Sequence, residues 1–98
     1  MNDLIDAFLL YKRHNRVRSG RTIQVYGLAL SRLSLFFADR DPLAATHDEL
    51  MLFAGAWLHK LGLDAVSRRP HISAMREFYK WLFEQRYIRV NPAADIPY

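Results

Sequence analysis

"SGRTIQVYGLALSRLSLFF", Ser19 to Phe37, is the stretch on which the fold turns. Ile23, Tyr26, Leu30, Leu33 and Phe37 recur at three- and four-residue steps, the spacing of one face of an α-helix. Val25, Leu28, Leu35 and Phe36 make the flanks apolar too. A helix that is apolar on more than one side is expected to sit centrally and touch more than one neighbour. Ser19 is the expected N-cap.

The same period runs outward in both directions. Leu4, Ile5, Phe8, Leu9 and Tyr11 mark a first helix over residues 3–14, capped by Asn2 or Asp3. A polar break from Asn15 to Gly20 separates it from the second. Pro42 ends helix continuation, and Thr46-x-x-Glu49 spells a capping box that opens a third helix. Leu50, Phe53, Ala54, Trp57, Leu58 and Leu61 form its apolar face, and Gly62 is its stop. A fourth helix carries Ile72, Met75, Tyr79, Leu82 and Phe83, widened by Phe78 and Trp81. Its expected cap is Ser67, which puts Pro70 in the first turn, where no internal N–H bond is lost. Asn91 and Pro92 open a last short turn. No segment alternates with period two strongly enough to indicate a strand. The expected fold is all-α: a compact four-helix bundle with a short C-terminal turn or helix, one domain over residues 1–98.

Composition narrows the function. The chain has 98 residues, 51% of them hydrophobic, so one modest core is within reach and two are not. It has no cysteine, which excludes disulfides, Cys-ligated zinc and a thiol nucleophile. No run approaches the ~20 apolar residues of a membrane span, and the N-terminus lacks the basic lead of a signal peptide. The expected compartment is the cytoplasm, with no membrane partner. His14, His47, His59 and His71 are scattered without metal-ligand spacing. Glu49 is accounted for by the capping box, and no glycine-rich phosphate loop is present. The residues therefore offer no catalytic group, no metal site and no cofactor. Gly27 and Gly55 fall inside helix patterns and are expected where helices approach closely, since each otherwise costs about 1 kcal/mol against alanine.

Charge is segregated. Between Ala7 and Ala38 there is no acidic residue, while Lys12, Arg13, Arg16, Arg18, Arg21 and Arg32 all lie there. Arg68, Arg69 and Arg76 fall in a second acid-free stretch, Ala65 to Arg76, and Asp39, Asp41, Asp48, Glu49 and Asp64 lie between the two stretches. Two helix starts, "RSGRTIQVY" and "VSRRPHISAM", pair a serine with arginines, although arginine opposes the helix dipole there. Backbone N–H groups, a hydroxyl and guanidinium groups all suit phosphate. The candidate DNA-binding residues are Arg16, Arg18, Ser19, Arg21 and Thr22 at one start, and Ser67, Arg68, Arg69 and His71 at the other. Arg76 and Lys80 follow at four-residue steps along the polar side, where ion pairs with Glu77 or Glu84 are the competing use. The other class of function is a helical protein–protein interaction module without nucleic acid.

"ISAMREFYKWLFEQRYIRVNPAADI" resembles the end of the core-binding domain of tyrosine recombinases, the phage-integrase family. The resemblance is carried by Ile72, Ser73, Ala74, Met75 and Arg76, then Phe78, Tyr79, Trp81 and Leu82, then Asn91, Pro92 and Ala93. Upstream, Ser19, Thr22 and Tyr26 look like the family's Ser-x-x-Thr-x-x-x-Tyr helix start. Where the family often has Thr-apolar-x-Arg-Arg, this chain has Ser67, Arg68, Arg69, Pro70 and His71, with the basic residues shifted toward the N-terminus. The resemblance implies a SAM-like domain that forms half of a clamp on double-stranded DNA, with the second and fourth helices against the duplex. It also implies other recombinase protomers as partners in a synaptic assembly, the isolated domain being a monomer. The family's catalytic arginines, histidine and tyrosine belong to a separate domain beyond residue 98, so Tyr98 is not expected to be a nucleophile.

Overall fold

In the computed structural model, which describes residues 2–15 and 20–97, α1 runs Asn2–Asn15. Ile5 and Phe8 are its buried stripe. Asn2 is already helical, so the position before it lies outside the described residues, as does the Ser19 cap. The central helix α2 spans Gly20–Phe37 and buries Ile23, Tyr26, Ala29, Leu30, Leu33 and Phe37, the expected stripe plus Ala29. It ends on Ala38, which takes φ 54, a left-handed value usually left to glycine. Arg40 then closes the helix. Its guanidinium donates to the Phe36 carbonyl at 3.0 Å, pairs with Glu49 at 2.7 Å and lies over the Phe36 ring.

A 3-10 turn at Pro42–Ala44 leads to the third rod. The capping box forms as expected: Glu49 N–H donates to Thr46 Oγ1 at 3.1 Å, and Thr46 N–H donates to Glu49 Oε1 at 3.0 Å. The rod is not one regular helix. It runs as α3 (His47–Leu52), a π-helical turn (Phe53–Trp57) and α4 (Leu58–Lys60). The wide turn holds an extra residue, so positions after it rotate out of the simple period. Leu58 stays fully buried, whereas Leu61, expected on the apolar face, is 48% exposed. Gly62 closes the rod at φ 90, with Leu63 N–H bonded back to the Leu58 carbonyl and Gly62 N–H to His59, a Schellman motif.

The last helix, α5, spans Ala65–Glu84 and starts earlier than the sequence suggests. Its N-cap is Asp64, not Ser67: Asp64 Oδ1 accepts the Ser67 N–H at 2.8 Å. Pro70 is then the sixth helical residue, inside the helix, and the Val66 carbonyl loses its partner. Ile72, Ala74, Met75, Phe78, Tyr79, Trp81 and Leu82 are buried, but Phe83 is 45% exposed, against expectation. Arg86 ends the helix at φ 65, with Tyr87 N–H bonded to the Leu82 carbonyl and Arg86 N–H to Phe83. This is a second Schellman motif, made here by a non-glycine residue. Beyond it the tail turns at Asn91, whose side chain accepts the Ala93 N–H, and returns Ala93 and Ile96 to the core.

The helices meet around one core. The Phe8 ring touches Tyr26, Phe78 and Trp81, which ties α1 to both α2 and α5. Tyr79 hydroxyl donates to the Pro42 carbonyl at 2.8 Å, fixing the 3-10 turn over α5, and burial pushes the phenol well above its ordinary pKa. Arg32 on the later half of α2 bonds His71 on the earlier half of α5, while Phe8 bridges Tyr26 to Phe78. The two long helices therefore run antiparallel, and the small residues Ala29 and Ala74, one turn from Arg32 and His71 on their own helices, are buried. Among the described residues no strand is present. A radius of gyration of 12.6 Å fits a single domain of this length, for which about 13 Å is expected. Gly27 lies near the Leu9 side chain of α1, but Gly55, expected at a close helix approach, has open space where a Cβ would stand.

Candidate nucleic-acid interface

The antiparallel pairing decides where the basic residues go. The starts of α2 and α5 lie at opposite ends of the pair, about one helix length apart. An 18-residue helix such as α2 is ~27 Å long. Arg16, Arg18 and Ser19 lie outside the described residues. Arg21 is exposed on the first turn of α2, and Thr22 is half-buried beside it. Lys12, part of the same basic run, turns inward. Its side chain is buried, pairs with Glu77 at 2.7 Å and lies over the Phe8 ring.

At the start of α5 the helix end is already engaged. The Ser67 N–H is taken by Asp64, and that bond, with the Ser67 hydroxyl next, holds the Asp64 carboxyl below its ordinary pKa. A carboxylate therefore sits where the sequence suggested phosphate. Arg68 is half-buried and donates to the Gly55 carbonyl at 3.3 Å, bracing the π turn of the third rod. Arg69 is exposed and makes no ion pair or side-chain hydrogen bond among the described residues.

His71 is buried rather than presented to solvent, at 7% exposure. Its Nε2 accepts from the Arg32 guanidinium at 2.7 Å, which assigns the ring proton to Nδ1. Among the described residues Nδ1 is buried without a hydrogen bond; the Ser67 carbonyl one turn earlier lies on that side but does not reach bonding geometry. Burial, then Arg32, hold the imidazole pKa below its ordinary value, with Ser67 acting weakly the other way. The sequence did carry a signal for this. His71 lies on the same helical stripe as Ala74, Met75, Phe78 and Leu82, all of them buried.

Further along α5, Arg69, Ser73, Arg76 and Lys80 fall on one stripe at four-, three- and four-residue steps. Arg76 donates to the Ile96 carbonyl and so fastens the tail. Lys80 is exposed. Glu77 pairs with Lys12 of α1 across the fold. Arg76 and Lys80 border a groove between α5 and the tail, into which Glu84, Asp95 and the exposed side chains of Phe83 and Val90 also face. Among the described residues no cluster of His, Asp or Glu could hold a metal. No helix described is long and apolar enough to cross a membrane.

Comparison with known proteins agrees with this architecture. A family model described as the phage integrase, N-terminal SAM-like domain, matches residues 5–86. The tyrosine recombinase XerC of Xylella fastidiosa (strain 9a5c) is 30% identical over 99 residues, which cover 98% of this chain and 33% of that protein. The tyrosine recombinase XerD of Chlorobaculum tepidum is 33% identical over 94 residues, 94% of this chain and 31% of that protein. The chain thus spans about a third of the length of the curated relatives it matches. No solved structure gives a significant match.

Proposed function

Because the chain belongs to the phage integrase N-terminal SAM-like domain family, we propose that it is the DNA-binding arm of a site-specific tyrosine recombinase. On this reading it grips duplex DNA near the cleavage site, and the cutting is done by a separate domain of the whole protein. It performs no catalysis itself. The observation that carries the reading is the pairing of two acid-free helical segments: all of α2, and α5 from Ala65 to Arg76. Together they form a positive surface that a polyanion would neutralise.

The antiparallel packing recasts how the grip works. The α2 start (Arg16, Arg18, Ser19, Arg21, Thr22) and Arg69 near the α5 start would take separate stretches of backbone, with Lys80 further along α5 toward the α2 end. At 3.4 Å per nucleotide along a strand, ~27 Å corresponds to roughly eight nucleotides. Arg21, Arg69 and Lys80 are the exposed cations for direct phosphate contact. Ser67, Arg68 and Arg76 would act through the elements they brace. Other recombinase protomers remain the proposed protein partners, and the groove beside Phe83 and Val90 is the surface that favours a protein contact.

The test is a titration of the protein with labelled duplex DNA at several salt concentrations. We expect weak binding that falls steeply with salt, log Kd changing with a slope of about 0.9 per phosphate neutralised. Charge reversal at Arg18 and Arg21 should weaken binding whatever the DNA sequence. Absence of binding at low salt, or binding without a salt slope, would favour the protein-interaction module instead.

A further inference from the structure

The seam between α2 and α5 holds a cation that the fold does not compensate. Arg32 is half-buried, and among the described residues no carboxylate lies within ion-pair distance of it. Among the described residues its one hydrogen-bond partner is His71 Nε2, at 2.7 Å. Neither helix can supply an acid nearby: α2 contains none, and α5 has none before Glu77. Taking a guanidinium partly out of water without a counter-charge costs free energy. The buried, unbonded Nδ1 of His71 adds a second cost. Of the two, the uncompensated guanidinium is the term an anion would remove, and it points to an anion that completes the site.

The geometry favours a diester phosphate. One guanidinium N–H is spent on His71, leaving four donors in a planar fork, enough for bidentate binding of a phosphate. The flanking residues one turn either way on α2, Leu28 and Leu35, are 51% and 71% exposed. They leave the approach to Arg32 free of competing charge and lower the local dielectric around it. A neutral imidazole is the right support, since it accepts a hydrogen bond and adds no charge of its own.

We propose that Arg32 is a backbone-phosphate contact where the later half of α2 meets the earlier half of α5, and that His71 is a positioning residue that aims it. This rests on the DNA-binding reading above and adds to it. Arg32 belongs to neither basic helix start in sequence, yet its bond to His71 places it beside the α5 start, so it adds a cation from α2 to that end of the surface. His71 moves from a contact to a support.

The experiment is fluorescence anisotropy with duplex DNA across a salt series, on the wild-type protein and on Arg32→Ala, Arg32→Lys, His71→Gln and His71→Leu. Arg32→Ala should weaken binding about tenfold at low salt and lower the salt slope by about one. Arg32→Lys should keep the slope and lose part of the affinity, because the charge remains and the fork does not. His71→Gln, which keeps an acceptor for Arg32, should bind as wild type, whereas His71→Leu should lose affinity. If wild type binds and Arg32→Ala matches it in affinity and slope, Arg32 is no contact and the proposal fails while DNA binding stands. If His71→Leu binds like wild type, the positioning role is wrong. Should His71→Leu fail to fold by circular dichroism, a His71→Gln protein that binds as weakly as Arg32→Ala would overturn that role instead. Absence of wild-type binding would bring down both readings.

Discussion

Burial and the neighbouring Arg32 both disfavour a charged imidazole at His71, so its folded pKa lies below the ordinary value of 6.5. The unfolded chain takes up that proton first as pH falls. Between the two pKa values the unfolded state holds more protons, and stability rises with pH. The contribution is therefore complete above pH 6.5 and is lost as pH drops from there toward the folded pKa. The urea midpoint of the wild-type protein should fall between about pH 7.5 and pH 5.5, and that of His71→Gln, which has no proton to gain there, should fall less. Equal falls in the two proteins would rule out His71 as the source. Single residues were the hardest scale to read from the sequence. Lys12 and His71 both stand among basic neighbours, yet one meets Glu77 and the other Arg32, partners 65 and 39 residues away. Such pairings are tertiary facts, invisible to spacing along one helix.

At the scale of elements, periodicity served well where a helix is regular. The bounds expected for α1 differ from those observed by one residue at each end, and the Thr46–Glu49 box opens α3 as its chemistry requires. The start of α5 shows why boundaries are harder. Proline's preference for a first turn argued for Ser67 as cap, but Asp64 is an equally good cap and lies just past the Gly62 stop. Starting there adds a turn that brings Arg68 against the Gly55 carbonyl and places a proline inside the helix. Pro70→Ala should restore an N–H for the Val66 carbonyl without disturbing the core, since Pro70 is exposed. We expect a gain of about 1–2 kcal/mol in urea unfolding, less than the full interior penalty because the unfolded chain also regains freedom. A loss of stability would mean that the ring itself packs usefully. The π turn had no signal that could be read from spacing, because Leu50, Phe53, Ala54, Trp57, Leu58 and Leu61 suit a regular helix equally well.

On the scale of the molecule, the tail beyond the last helix belongs to the folding unit although the family match ends at residue 86. Ile96 is 1% exposed, and its carbonyl is held by Arg76. Ile96→Ala should cost about 2 kcal/mol, near the low end for a buried isoleucine because a chain end can partly collapse into the gap. For a domain of this size that lowers the melting temperature by about 10 °C. A shift smaller than about 2 °C would show that the tail is only loosely held. Asn91 and Pro92 told of a turn in the sequence. Nothing in the short apolar spacing after them told that the turn carries Ile96 back against α5.

The π turn at Phe53–Trp57 also bears on how sequences of this kind can change length. A helix that is regular throughout has no residue to spare, because a deletion rotates everything beyond it by about 100°. Here the surplus is stored in one wide turn. A single-codon deletion in that interval has a regular α-helical turn to collapse into, and a single-codon insertion elsewhere in the rod does not. When this chain is aligned with relatives, a one-residue gap within 53–57 should therefore be read as the loss or gain of that turn. It need not signal a different fold.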